Sequence, residues 1–219
     1  VLFGLVAVGG TMLLVTQYLQ LVAGFSPRVA GFWMGPPALA MVAAGVTAPL
    51  IARHVRPGFV VAGALSLSVI GYLMLAHLDG GTSDATIVVA GFSLAYLGLG
   101  TIAALGTDLV VGSAPVDQAG SASAMSETVQ DLGVSLGIAV LGSLATAVYR
   151  RTMLDRIPEG LGHETREAVA DSLWAATAVA PPLPAGLLEE AQAAFTAGFS
   201  AAAMFSAASV TALALLAAA

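Results

Sequence analysis

Two acids, Glu127 and Asp131, lie four residues apart inside the apolar segment SETVQDLGVSLG, residues 126–137. On a helix that spacing sets both carboxylates on one face, a turn apart. Like charges at that distance repel, and in hydrocarbon each carries a large desolvation cost as well. An unpaired carboxyl held out of water tends to take up a proton. A pair of such groups can release and rebind protons as water or a cation arrives and leaves, which is the chemistry of a proton-coupling site. Hydrogen bonding to other helices is the purely structural alternative, and Ser126, Thr128, Gln130 and Ser135 supply further polar groups on the same helix. No lysine or arginine falls within any apolar run. The acids therefore have no salt-bridge partner inside the spans.

Other polar residues in apolar surroundings are Gln17, Tyr18 and Gln20, in TQYLQ, and Asp108, late in a span. Amides and phenols in a membrane helix either join helices together or line a substrate path. For Asp108 the choice is between snorkelling or capping and a place on the cavity wall. Asp117, just before a helical pattern, reads as an N-cap. Trp33 and Tyr149 sit near span ends and read as interfacial anchors. His54, His77 and His163 lie in or beside loops without metal-ligand spacing, so no metal site is expected. There is no GxxxxGK loop and no cysteine. With no nucleophile–base or metal constellation, no enzyme is expected and no cofactor.

The elements that must position these groups are long and greasy. The 219 residues are 58% hydrophobic and 9% charged, with mean hydropathy +0.93. About a quarter of the residues of a soluble domain are charged, so a lipid bilayer is the expected surrounding. The net charge of −6 argues against a nucleic-acid partner. About 20 apolar residues cross the hydrocarbon. Five such runs are expected at residues 2–25, 29–52, 59–77, 85–112 and 119–148. A long polar segment follows at 149–190, with a short amphipathic helix predicted at 163–180, and the last span covers 191–219. Gly133 and Gly137 form a GxxxG pair, read first as a helix-packing device. The chain opens on Val1 within an apolar run and stops within another, as a piece cut from a longer protein would.

Three stretches carry a family resemblance. TQYLQLVAGFSPRVAGFWMGPPALAM, residues 16–41, resembles the entry to the carboxy-terminal half of a multidrug antiporter. APLIARHVRPG, residues 48–58, is similar to a degenerate basic loop motif of the major facilitator superfamily. The most specific, GTDLVVGSAPVDQAGSASAMSETVQDLGVSLGIAVLGS at 106–143, resembles the penultimate helix and lead-in of the drug:proton antiporters with fourteen spans, the EmrB/QacA type. The resemblance implies an all-α membrane protein, the six-transmembrane-helix bundle of the carboxy-terminal half, spans nine to fourteen. It implies proton-coupled efflux of amphipathic, often cationic, drugs by alternating access in the cell membrane, driven by the proton gradient. The partners implied are protons, a small cationic substrate and an amino-terminal half. It also implies that Glu127 and Asp131 take part in coupling or cation binding. Some relatives carry a further acid where this chain has Ser126. The loop before the last helix is expected outside the cell and the RHVRPG turn inside, against the raw arginine count of the positive-inside rule. A carrier for another small solute would share the fold but would more naturally place a cation in its cavity to meet an anion. A non-transport membrane scaffold would have no use for the two acids.

Overall fold

The computed structural model describes residues 2–78, 84–112, 115, 118–158, 160–179 and 183–218, with positions 3 and 107–111 described by their backbone alone. Within these residues the chain is all-α. Helix α1 (Leu2–Gln17) runs on into a π-helical turn, Tyr18–Val22. Then follow α2 (Pro27–Trp33), α3 (Gly35–Ala52), α4 (Pro57–Ala76), α5 (Asp84–Gly112), α6 (Ala119–Leu154), α7 (His163–Asp171), α8 (Leu173–Ala178) and α9 (Leu187–Ala218). Six segments are long and apolar enough to cross a membrane, with α2 and α3 together making one of them.

Local chemistry sets the breaks. Gly24 adopts a positive φ of 71° and ends the π turn, a conformation that glycine takes without steric cost. Ser26 caps α2, its hydroxyl accepting from the Val29 amide at 3.4 Å. The second span is interrupted at Met34, because Pro36 and Pro37 have no amide hydrogen to return to the preceding turn. The long polar segment is shorter than its predicted 149–190, since α6 continues to Leu154 and α9 already starts at Leu187. The predicted single amphipathic helix at 163–180 is two helices. Ser172 turns extended between them, with φ −160° and ψ 155°, and its hydroxyl accepts from the Ala175 amide to start α8.

Small residues bring the helices close. Gly71 of α4 faces Gly91, Leu94 and Ala95 of α5. The Ser68 hydroxyl donates across the same seam to the Ala95 carbonyl at 3.1 Å. Gly133 and Gly137 of α6 lie against Leu5 and Val6 of α1, so this pair does pack helices. A side chain at Gly9 of α1 would in turn meet the Val134 backbone, 2.7 Å from its carbonyl oxygen. Helices α1 and α6 run parallel, and α9 closes on α6 where Gly198 faces Ala145. The core between them holds Tyr18, Tyr72, Phe92, Leu141 and Phe199, all fully buried.

The outer surface is apolar in the way lipid demands. Phe32 is 85% exposed, Leu39 71% and Leu216 74%. Such surface is far beyond what a water-soluble monomer shows. The chain is a multi-pass integral membrane protein.

Candidate functional site on helix α6

Helix α6 has two faces. Gly133, Gly137, Leu141, Ala145, Tyr149 and Met153 are buried. They recur every four residues, so the buried stripe advances about 40° around the axis at each step. At the level of Gly133 it lies about 160° around the axis from Asp131 and about 120° from Glu127. Both acids are exposed on the opposite face. Of the two surroundings such acids tolerate, the bundle interior and a wet cavity, this six-helix unit does not provide the first. Its own interior is filled by the glycine seam with α1, and the carboxylates look outward. The helix starts at Ala119, which puts Glu127 about 12 Å and Asp131 about 18 Å along it. At such depth a carboxylate facing lipid is strongly unfavourable, so this face calls for water or further protein over it.

The polar neighbours do not pair with the acids. Thr128 donates to the Ala124 carbonyl at 2.9 Å, and the Gln130 amide to the Ser126 carbonyl at 3.3 Å. These bonds stay within the helix. The only ion pair among the described residues, His163 with Glu167 at 3.8 Å, is on α7. The structural alternative of carboxylates satisfied by other helices thus finds no support among these residues.

The acid-bearing face continues along α6 through Ser135, Gly142, Thr146 and Tyr149, at steps of four, seven, four and three residues from Asp131. By Tyr149 the winding buried stripe has met it. There a cavity of about 230 Å³ opens between α1 and α6, lined among others by Gln17, Gln20, Thr146, Tyr149, Asp171 and Trp174. Gln17 and Gln20, read from the sequence as helix glue or path lining, both line this cavity, which lies apart from the acids. Helices α1 and α6 are parallel, and Gln17 stands eleven residues, about 16 Å, beyond Val6, which itself meets Gly137. Tyr18 is fully buried in the core, its ring 5.7 Å from that of Phe199. Asp108 lies in α5, but its side chain is outside the described residues, as is Asp117 altogether.

Hydrogen bonds hold the cavity in shape. The Gln192 amide of α9 donates to the Leu21 carbonyl at 2.9 Å and ties α9 to the π turn. The Tyr149 hydroxyl donates to the Val169 carbonyl at 2.8 Å and ties α6 to α7. This buried bond replaces the simple interfacial-anchor reading of Tyr149. Trp33 is half-buried, its ring 5.4 Å from that of Phe25.

Two acids escaped the sequence reading. Asp84, at the start of α5, is buried within electrostatic reach of the Tyr18 hydroxyl. Asp171 closes α7 and lines the cavity. Each stands in a polar turn or loop, where a carboxylate attracts no notice. No signal marks Asp171 in the sequence, where it falls inside the predicted helix at 163–180.

No family model matches the chain. Among curated proteins it is 36% identical to the "Multidrug efflux pump LfrA" of Mycolicibacterium smegmatis, over 87% of this chain and 38% of that protein. It is 30% identical to the "Methyl viologen resistance protein SmvA" of Salmonella typhimurium, over 80% of the chain and 35% of the relative. With the "Tetracenomycin C resistance and export protein" of Streptomyces glaucescens the identity is 32%, over 82% and 33%. The chain thus spans little more than a third of the length of the relatives it matches. Six apolar spans and these relatives agree: the chain belongs to the multidrug efflux transporters of the major facilitator superfamily and corresponds to their carboxy-terminal half.

Proposed function

We propose that the whole protein exports amphipathic, often cationic, drugs across the cell membrane in exchange for protons, with Glu127 and Asp131 as the exchange site. It acts as a transporter and not as an enzyme. The observation that carries this reading is the exposure of both acids on the face of α6 turned away from its own bundle. An acid pair at that depth is tolerable only beside a wet cavity, and an amino-terminal half packed over this face would enclose one. Relatives named for drug and methyl viologen resistance support the substrate class.

The steps follow from charge. A proton arriving from outside neutralises a carboxylate and lets the site occlude, because a bare carboxylate in a closed apolar cavity is unfavourable. After the two halves rock about the site, a cation from the inner side takes the proton's place. It neutralises the same group, and the closed form becomes accessible again for the return. Proton and drug exclude one another, which is what makes the exchange obligatory. The proton gradient is the energy source and no cofactor takes part. The bilayer, the proton, the organic cation and the amino-terminal half are the partners this scheme requires.

Export from proteoliposomes holding the full-length protein tests the scheme. An imposed proton gradient drives accumulation of an organic cation by the wild type, and Asp131→Asn abolishes it. Full gradient-driven export by the Asn variant would overturn the coupling role.

A further inference from the structure

The cavity at the α7–α8 end is a second place where charge meets aromatic surface, about 22 Å along α6 from Asp131, counting fifteen residues to Thr146. Among the described residues Asp171 is the single charged residue of its lining, and no arginine lines it. Among the described residues Asp171 makes no ion pair. It stands at the C-terminal end of α7, where the free carbonyls add negative potential. An acid at that end is unfavourable for the helix by itself. Gln17, half-buried in the wall, makes no side-chain hydrogen bond to any described residue, so its amide is available. Trp174 stands at the mouth, 69% exposed, although a tryptophan on a short helix would gain by burial. Phe195 and Tyr149 give the wall further aromatic surface.

We propose that this cavity binds a monovalent aromatic cation at a site separate from the acid pair, with the Asp171 carboxylate meeting the charge, the Trp174 ring covering the cation's face and Gln17 supplying a polar contact. A carboxylate with an aromatic face, and no cation among the lining, selects positive charge. About 230 Å³ suits a single planar three-ring molecule and leaves little room for a larger one. The site lies on the continuation of the acid-bearing face of α6. This inference rests on the proposed cation export for its substrate class, and its test is separable from that proposal.

The test is equilibrium binding of N-methylacridinium, with uncharged acridine as the matched control, to detergent-purified full-length protein carrying Glu127→Gln and Asp131→Asn. With the exchange site neutralised, N-methylacridinium still binds and binds more tightly than acridine. Adding Asp171→Asn removes that preference for charge. Adding Trp174→Ala weakens N-methylacridinium about tenfold, and Trp174→Phe restores most of the loss. Asp171 and Trp174 are both exposed, so these changes leave the fold intact. Loss of all N-methylacridinium binding in the neutralised background would overturn the second site. So would an undiminished preference for charge in Asp171→Asn. Unchanged binding in Trp174→Ala would overturn it too and leave Trp174 as a membrane-interface anchor.

Discussion

Asp131 and Glu127 draw attention from sequence alone because a carboxylate in an apolar run has to be explained, while the same group in a loop does not. Residue type and spacing were enough to place both acids on one helix face. They were not enough to say which way that face turns, since orientation depends on where the glycine seam with α1 falls. Asp84 and Asp171 were illegible for the converse reason: each becomes notable only through neighbours far away in the chain, Tyr18 for one and the α1–α6 cavity for the other. Tyr149 shows the same limit, because its bond to the Val169 carbonyl spans twenty residues. Removing that hydroxyl leaves a buried carbonyl without its donor. Tyr149→Phe is expected to cost about 1–3 kcal/mol. Hydrogen exchange should then show faster opening of the Val169 region of α7, with α4 and α5 unaffected. Equal protection in both proteins would mean that the bond does not hold α7 in place.

Helices rather than single groups decide how the acid face is presented. The span count and the GxxxG seam were readable from hydropathy and small-residue spacing. The π turn at Tyr18–Val22 was not, since it depends on how the chain must leave α1 before Gly24 and Pro27. The length of α6 was also missed. Its last turns are amphipathic and pack on α7, so hydropathy ends the span too soon. The seam makes a contrast of two like substitutions possible. A Cβ at Gly137 would press on the Val6 backbone, whereas nothing lies within 4 Å of one at Gly120. Gly137→Ala is expected to force α1 and α6 apart and cost about 1–3 kcal/mol. Gly120→Ala, in the first turn of α6 with no neighbour for its Cβ, should leave stability unchanged. Thermal unfolding in detergent followed by circular dichroism separates the two. Equal midpoints for both variants would contradict the close α1–α6 packing.

At the scale of the whole molecule, the six helices expose two kinds of surface. The outward side of α4, with Leu67, Ile70 and Leu73, is apolar, whereas the outward side of α6 mixes Glu127, Asp131 and Ser135 with apolar residues. Lipid suits the first and water the second. Among the 219 residues there is no cysteine, so single cysteines can report on each face within a cysteine-free full-length protein in membranes. A charged methanethiosulfonate reagent should modify Ser135→Cys and leave Ile70→Cys untouched. Equal resistance at both positions would put the acid face against lipid. The central claim, that protons and cations compete for the α6 acids, is tested most directly by proton release from detergent-purified full-length protein in weak buffer on addition of an organic cation. The wild type should release protons as the cation binds, and Asp131→Asn should release few or none. Undiminished release from the Asn variant would contradict the account, because the exchange would then take place without Asp131.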